Sequence, residues 1–251
     1  MKTYNALSKS FTDEVKTKMG GGKSIDEAFN EVKSELPPPP NNNITLGDGE
    51  HNGFYYVDLG LSVNWATCNI GAKLASDDGK LFQFGRVDGY KYNDGNNAFK
   101  TYDDNTSETG NQFVPISSSE TTYDLNAILQ NNDDAASIIM KSDWKMPDKS
   151  KIEELIQHTT HKVEMIDNKL GVLFKSTVKG YEDKSLFIPF GGYWDGTKFT
   201  DDNICGCIWS SQVYNSSNTY GFMLRVKNNN DCEILNYDRA RGYSIRGVFE
   251  K

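Results

Sequence analysis

The chain has 251 residues and a formal net charge of −8, from 35 acidic and 27 basic side chains. Its length allows one domain with an appendage, and its 37% of hydrophobic residues suffices for a packed core, which excludes a wholly disordered chain. The negative charge opposes binding to phosphate backbones, so nucleic acid is not an expected partner. Because the sequence has no apolar run of about 18 residues, membrane insertion is not expected either.

Residues 1–36 are predicted to form two amphipathic helices that anchor or oligomerise the protein. Apolar side chains recur there at steps of three and four residues, which places them on one face of each helix. The anchor prediction names Tyr4, Leu7, Phe11, Val15, Ile25, Phe29 and Val32. Short helices are marginal alone, so their apolar faces require a partner surface. A hairpin folded back on the body is the alternative. Residues 37–52, which begin with four prolines, are predicted to be a Pro- and Asn-rich linker.

From residue 53 to the end, short apolar runs rich in aromatic and β-branched residues alternate with Gly, Asn and Asp turns, a pattern typical of strands. The predicted strands are 54–61, 80–85, 169–177, 185–194, 206–214, 220–226, 232–237 and 242–249. Two helices are predicted, one over 133–140 and one that begins after a cap at Asp148 or Ser150. The pattern predicts an α+β domain with many short strands and two helices.

The sequence offers little for catalysis or metal binding. His158 and His161 are predicted to share a helical face, but no third ligand lies nearby. Cys205 and Cys207 lack a second cysteine pair at zinc spacing and are interpreted as buried thiols. The chain also lacks a GxSxG elbow and a P-loop. We therefore expect no enzymatic activity, no cofactor and no metal.

The stretch from Trp194 to Arg241 favours a binding surface instead. It is dense in Tyr, Asn, Ser, Asp and Arg, which is the composition of an antibody-like paratope and also suits sugar rings. The predicted ligand-binding residues are Trp194, Asp195, Tyr214, Asn215, Asn218, Tyr220, Asn228, Asn229, Asn230, Tyr237, Arg239 and Arg241. The alternative is that many of these are ordinary turn residues.

Six blocks of the body carry a family resemblance. The string YYVDLGLSVNWATCNIGA at 55–72 closely resembles the opening motif of the FISUMP (major paralogous) domain family. Five further blocks follow in the family's order: DGKLFQFGR (78–86), DDAASIIMKSDWKMPDKSKIEELI (133–156), FIPFGGYWDG (187–196), IWSSQ (208–212) and RGYSIRGVFE (241–250). The resemblance implies a C-type-lectin-like domain over residues 53–251, with paired N- and C-terminal strands. The calcium-site triplets of sugar-binding lectins are absent, so calcium chelation is not implied.

The expected function follows from the resemblance and the N-terminal segment together. The first residues lack the apolar core of a secretory signal, so we expect synthesis and assembly in the host cytoplasm. The chain resembles lectin-like fibre proteins of gut bacteriophages. This implies a virion protein, a head or tail fibre or capsid decoration, whose residues 1–36 dock on capsid or tail proteins. Its body would bind host-surface glycans or proteins, as a homo-dimer or homo-trimer. The alternative is a bacterial cell-surface adhesin or lipoprotein of the same family.

Overall fold

The computed structural model describes residues 47–93, 98–101, 123–141, 143–195 and 198–251. The predicted anchor, residues 1–36, and residues 37–46 of the predicted linker lie outside the described residues. The described part comprises the last six residues of the predicted linker, of which Gly49–His51 form a strand, and the body in which the strands and the candidate binding residues were predicted.

The described residues form many short strands and two short helices. The strands are β1 Gly49–His51, β2 Phe54–Val57, β3 Val63–Ala66, β4 Tyr90–Asn93, β5 Ala98–Thr101, β6 Thr159–Ile166, β7 Lys169–Ser176, β8 Ser185–Pro189, β9 Gly191–Trp194, β10 Phe199–Asp202, β11 Cys205–Val213, β12 Tyr220–Lys227, β13 Cys232–Asp238 and β14 Val248–Glu250. The helices are α1 Ala135–Ile139 and α2 Lys149–Gln157. Strands dominate the described part, as the sequence predicts, and neither of these helices has the length and apolarity that a membrane crossing requires.

The strands of the described residues are arranged in four sheets. The largest has five strands in the order β10-β9-β11-β12-β13, and a second has four in the order β1-β2-β3-β14. The other two are β6-β7-β8 and the pair β4-β5. In the second sheet, β14 runs antiparallel to β3, with Val248 opposite Trp65. The expected pairing of the first and last parts of the body is thus present.

The five-stranded sheet lies between two apolar clusters. Because successive residues of a strand point to opposite faces, Trp209 and Met223 pack into one cluster while Ile208 and Leu224 pack into the other. The second cluster also contains Ile152 of α2. A sheet covered on both faces explains why β11 and most of β12 are buried on both sides.

Helix α2 begins and ends at identifiable signals. Of the two predicted caps, Asp148 is the N-cap, and its Oδ1 accepts a hydrogen bond from Lys151 N at 3.0 Å. The helix ends at Gln157, and β6 begins two residues later. The prediction that His158 and His161 share a helical face is therefore wrong, because His161 lies on β6 opposite Phe174.

Two predicted strands are mostly irregular chain. Residues 80–85 and 242–249 contact each other through an isolated bridge between Phe82 and Tyr243, and only the last part of the second segment forms β14. Phe82, Phe84 and Tyr243 are buried all the same, and Phe249 is half-buried. The apolar pattern predicted burial correctly there but not a continuous ladder.

Candidate ligand-binding surface

Three tyrosines and one arginine meet at one face of the five-stranded sheet. Strand β9 carries Tyr193, β13 carries Tyr237, and the segment that follows β13 carries Arg241 and Tyr243. The guanidinium carbon of Arg241 lies 4.5 Å from the ring centroid of Tyr237 and 5.9 Å from that of Tyr193. The ring of Tyr243 lies 5.4 Å from the Tyr193 ring and 6.3 Å from the Tyr237 ring. We call these four residues the Arg241 site.

Tyr243 forms the floor of the Arg241 site. Its side chain is buried and packs on Trp209, with 4.4 Å between the ring centroids. The charge of Arg241 interacts favourably with the side chain of Tyr243. Burial raises the pKa of Tyr243, and it raises the pKa of Tyr193 to about 12. Both phenols therefore stay protonated at neutral pH and keep their hydrogen-bond donors.

Within the described residues, the guanidinium of Arg241 lies against aromatic rings. Among the ion pairs of the described residues, none involves Arg241. By contrast, Arg225 on the neighbouring strand β12 pairs with Glu233, with Nη2 2.9 Å from Oε2. Tyr193 and Tyr237 are half-buried, as is Arg241 itself, so the site is open to solvent.

Two predicted ligand-binding residues are buried and do not belong to an exposed surface. Trp194 is 3% exposed, because alternation along β9 turns it away from the face that carries Tyr193. Arg239 is 5% exposed and stacks on Tyr123, with its guanidinium carbon 4.4 Å from the ring centroid. Its Nη1 donates to the carbonyl oxygen of Asn218 at 3.1 Å, so Arg239 holds the β11–β12 turn in place.

The asparagines Asn228, Asn229 and Asn230 lie far from the Arg241 site. They form the turn between β12 and β13, whereas Tyr237 pairs with Gly221 at the opposite end of this hairpin. The eight residues of β12 separate the two ends by about 25 Å. These three predicted residues therefore do not lie beside the Arg241 site. Asn230 has a turn role, with φ 68° and its Oδ1 accepting from Val163 N at 2.8 Å.

The remaining predicted residues lie in turns near the ends of β9, β11 and β12. Asp195 closes the β9–β10 turn, where its Oδ1 accepts from Lys198 N at 2.9 Å. Tyr214 packs edge-on against Phe222, with 5.3 Å between the ring centroids. Asn215, Asn218 and Tyr220 lie in or beside the β11–β12 turn, and Tyr220 pairs with Asp238 at the end of β13 that also carries Tyr237.

The sequence prediction missed Tyr193 and Tyr243. Both occur in predicted strands, but neither was assigned to the binding surface. A signal was available for Tyr193, because period-two alternation allows only one of Tyr193 and Trp194 to point into the core. The place of Tyr243 depends on contacts distant in sequence, and no local pattern reveals it.

Cys205 and Cys207 are buried free thiols, as interpreted from the sequence. They point to the same face of β11, with 3.8 Å between the Sγ atoms. Burial raises the pKa of Cys207, which keeps it in the thiol form. Within the described ranges, no group of three or more His, Cys, Asp or Glu side chains could hold a metal ion.

The glycine between these cysteines is required by packing. A Cβ at Gly206 would collide with the carbonyl oxygen of Pro189 and lie 3.1 Å from Val226 Cγ2. We expect Gly206→Ala to lower the free energy of unfolding by about 2 kcal/mol, measured by urea denaturation. Cys205→Ala is the control for the thiols, with an expected cost of about 1 kcal/mol. An unchanged stability of Gly206→Ala would contradict the close approach of the two backbones.

Comparison of the chain with protein-family models, with curated proteins and with solved structures gives no match. The functional argument therefore depends on the residues and their geometry.

Proposed function

We propose that the chain is a bacteriophage virion protein, a head or tail fibre or capsid decoration, whose lectin-like body binds host-surface glycans or proteins. The observation that carries the proposal is the Arg241 site, an open surface of tyrosines and arginine on a regular β-sheet. Tyrosine provides a large contact area at a low entropic cost because it has two side-chain torsions. The packed sheet beneath Tyr193 and Tyr237 holds their rings in place before a ligand arrives, which favours recognition.

Membership of the FISUMP family and a C-type-lectin-like fold are part of this proposal. Three tryptophans of the resemblance blocks, Trp65, Trp144 and Trp209, are all fully buried. The resemblance therefore involves positions on which the core depends, as expected for a shared fold. The antiparallel pairing of β3 with β14 supports the same assignment.

The proposed anchor is residues 1–36, docked on capsid or tail proteins and assembled in the host cytoplasm as a dimer or trimer. The test is mass spectrometry of purified phage particles. We expect the full chain at stoichiometric copy number, and a variant lacking residues 1–36 should fail to join particles. Detection only in bacterial envelope fractions would contradict the virion assignment and favour a surface adhesin of the same family.

The recognition surface has its own test. We expect Tyr193→Ala and Tyr237→Ala each to weaken binding of the purified protein to host cells about tenfold, because each removes a ring face from the Arg241 site. Binding is measured by titration on cells of the strain that propagates the phage. Asn229→Ala, at the opposite end of the hairpin, is the control and should bind normally. If all three variants bind host cells as tightly as the native protein and have its melting temperature, recognition takes place elsewhere on the protein.

A further inference from the structure

The Arg241 guanidinium has more N–H donors than its contacts within the site occupy. A guanidinium has five N–H donors, and among the described residues the side chain of Arg241 contacts the ring faces of Tyr193 and Tyr237 and interacts with the side chain of Tyr243. These neutral groups fix the orientation of the guanidinium without cancelling its charge. A planar cation held in this way fits a carboxylate, which can accept two parallel N–H bonds from it.

We infer that the Arg241 site binds an acidic saccharide, with Arg241 holding the sugar carboxylate and Tyr193 and Tyr237 contacting the sugar ring. The inference rests on the proposed recognition function and specifies its ligand. Two ring faces next to the guanidinium suit a ligand that has apolar C–H surface beside its anionic group. A sugar acid combines both features in one ring.

The electrostatics favour one carboxylate over a polyphosphate. The whole chain has a net charge of −8, which repels highly charged anions. Burial raises the pKa of Tyr193 and the charge of Asp201 raises it further, so an acid of β10 lies near this side of the site. A ligand with one localised carboxylate can contact Arg241 while its neutral part faces Asp201.

Arg225 is a matched control within the same sheet. Its Nη2 bonds Glu233 at 2.9 Å, so its charge is already paired. The charge of Glu233 is further compensated by Lys227, whose Nζ lies 3.1 Å from Oε2. An anionic ligand would have to displace Glu233 to reach Arg225, whereas no acid in the described part of the chain is paired with Arg241.

The experiment compares acidic sugars with uncharged partners of the same shape. The full chain is titrated calorimetrically with trigalacturonate and with its methyl ester, and separately with sialyllactose and with its methyl ester. We expect at least one acid to bind about 10- to 100-fold more tightly than its uncharged partner. Arg241→Met should abolish this preference, Arg241→Lys should retain only part of it, and Arg225→Met should leave it unchanged. Thermal unfolding verifies that each variant is folded.

Three results would overturn the inference. These are equal binding of acid and uncharged partner at millimolar concentrations, an unchanged preference in folded Arg241→Met and Arg241→Lys, and equally tight binding of a carboxylate without a sugar, propane-1,2,3-tricarboxylate. None of these results would change the outcome of the host-cell titration, in which Tyr193→Ala and Tyr237→Ala are expected to weaken binding. Failure of the acidic-saccharide inference is thus distinguishable from failure of the proposed recognition function.

Discussion

Arg246→Met is expected to lower the free energy of unfolding by about 4 kcal/mol, the largest effect among the substitutions considered. Arg246 is 0% exposed, and its contacts are hydrogen bonds to neutral oxygens. Its Nε donates to Asn69 Oδ1 at 2.9 Å, and its Nη2 donates to the carbonyl oxygen of Phe187 at 3.1 Å. Its Nη1 donates to the carbonyl oxygens of Ala66 and Thr67, at 3.1 and 2.5 Å.

The expected loss follows from the acceptors that methionine would leave behind. Methionine is similar in length but donates no hydrogen bond, so three backbone carbonyls and one amide oxygen would lose a donor at once. Each buried polar group without a partner costs about 1–3 kcal/mol. Burial disfavours the charged guanidinium and lowers the pKa of Arg246. Because methionine removes this buried charge, part of the loss is offset.

Urea denaturation at pH 7 measures the effect, and Arg225→Met is the matched control. The pair of Arg225 with Glu233 is partly exposed, with side-chain exposures of 26% and 39%, so its loss should cost less than about 1 kcal/mol. Arg246 joins β3 to β8 through its hydrogen bonds to Ala66 and Phe187. Similar losses of unfolding free energy in the two variants would contradict this stabilising role.

The sequence predicts several of the longer strands well, whereas β10 of the five-stranded sheet was not predicted. Strands β7, β11, β12 and β13 agree with their predicted ranges to within a residue or two. In each of them seven or more residues continue an apolar or alternating pattern, which leaves a strand as the natural interpretation. Strand β6 was missed because its first residues follow α2 closely. There Thr159 Oγ1 donates to the carbonyl oxygen of Leu155 at 2.6 Å, at the junction between helix and strand.

The candidate site was predicted only in part because its residues meet through sheet order. Tyr237 and Arg241 were identified by residue type, which is a local property. Tyr193 joins them because β9 lies beside β11, with Gly192 opposite Gly206 in a parallel pair. Neither this pairing nor the position of Tyr243 over Trp209 has a local signature. Residue composition also could not distinguish the two ends of the β12–β13 hairpin, and so it included Asn228, Asn229 and Asn230.

A second large effect is expected at Asp134, the N-cap of α1. Its side chain is 1% exposed, and its Oδ1 accepts from Ser137 N at 3.0 Å. Its Oδ2 accepts from Met146 N at 2.9 Å, which ties the helix to the segment that leads into α2. Asp134→Ala would leave both N–H groups without these acceptors. We expect it to lower the free energy of unfolding by about 3 kcal/mol, and Asp134→Asn by about 1–2 kcal/mol.

The pH dependence of this effect has a definite sign. Burial raises the pKa of Asp134, because the cost of removing the carboxylate from water outweighs the hydrogen bonds from Ser137 and Met146. A carboxyl group with a raised pKa in the folded state contributes most stability below its unfolded pKa of about 3.9. That contribution is lost as the pH rises through the folded pKa. Acidification from pH 7 through this window should therefore stabilise the native protein relative to Asp134→Asn.

The measurement is the difference in unfolding free energy between the native protein and Asp134→Asn, taken by urea denaturation at several pH values from 7 down to about 4. Other titrating groups, such as Asp78, whose pKa burial also raises, are present in both proteins and largely cancel in the difference. We expect the advantage of the native protein to increase as the pH falls. An advantage that decreases on acidification would mean that the hydrogen bonds from Ser137 and Met146 outweigh desolvation. The carboxylate would then be the form that the folded state prefers.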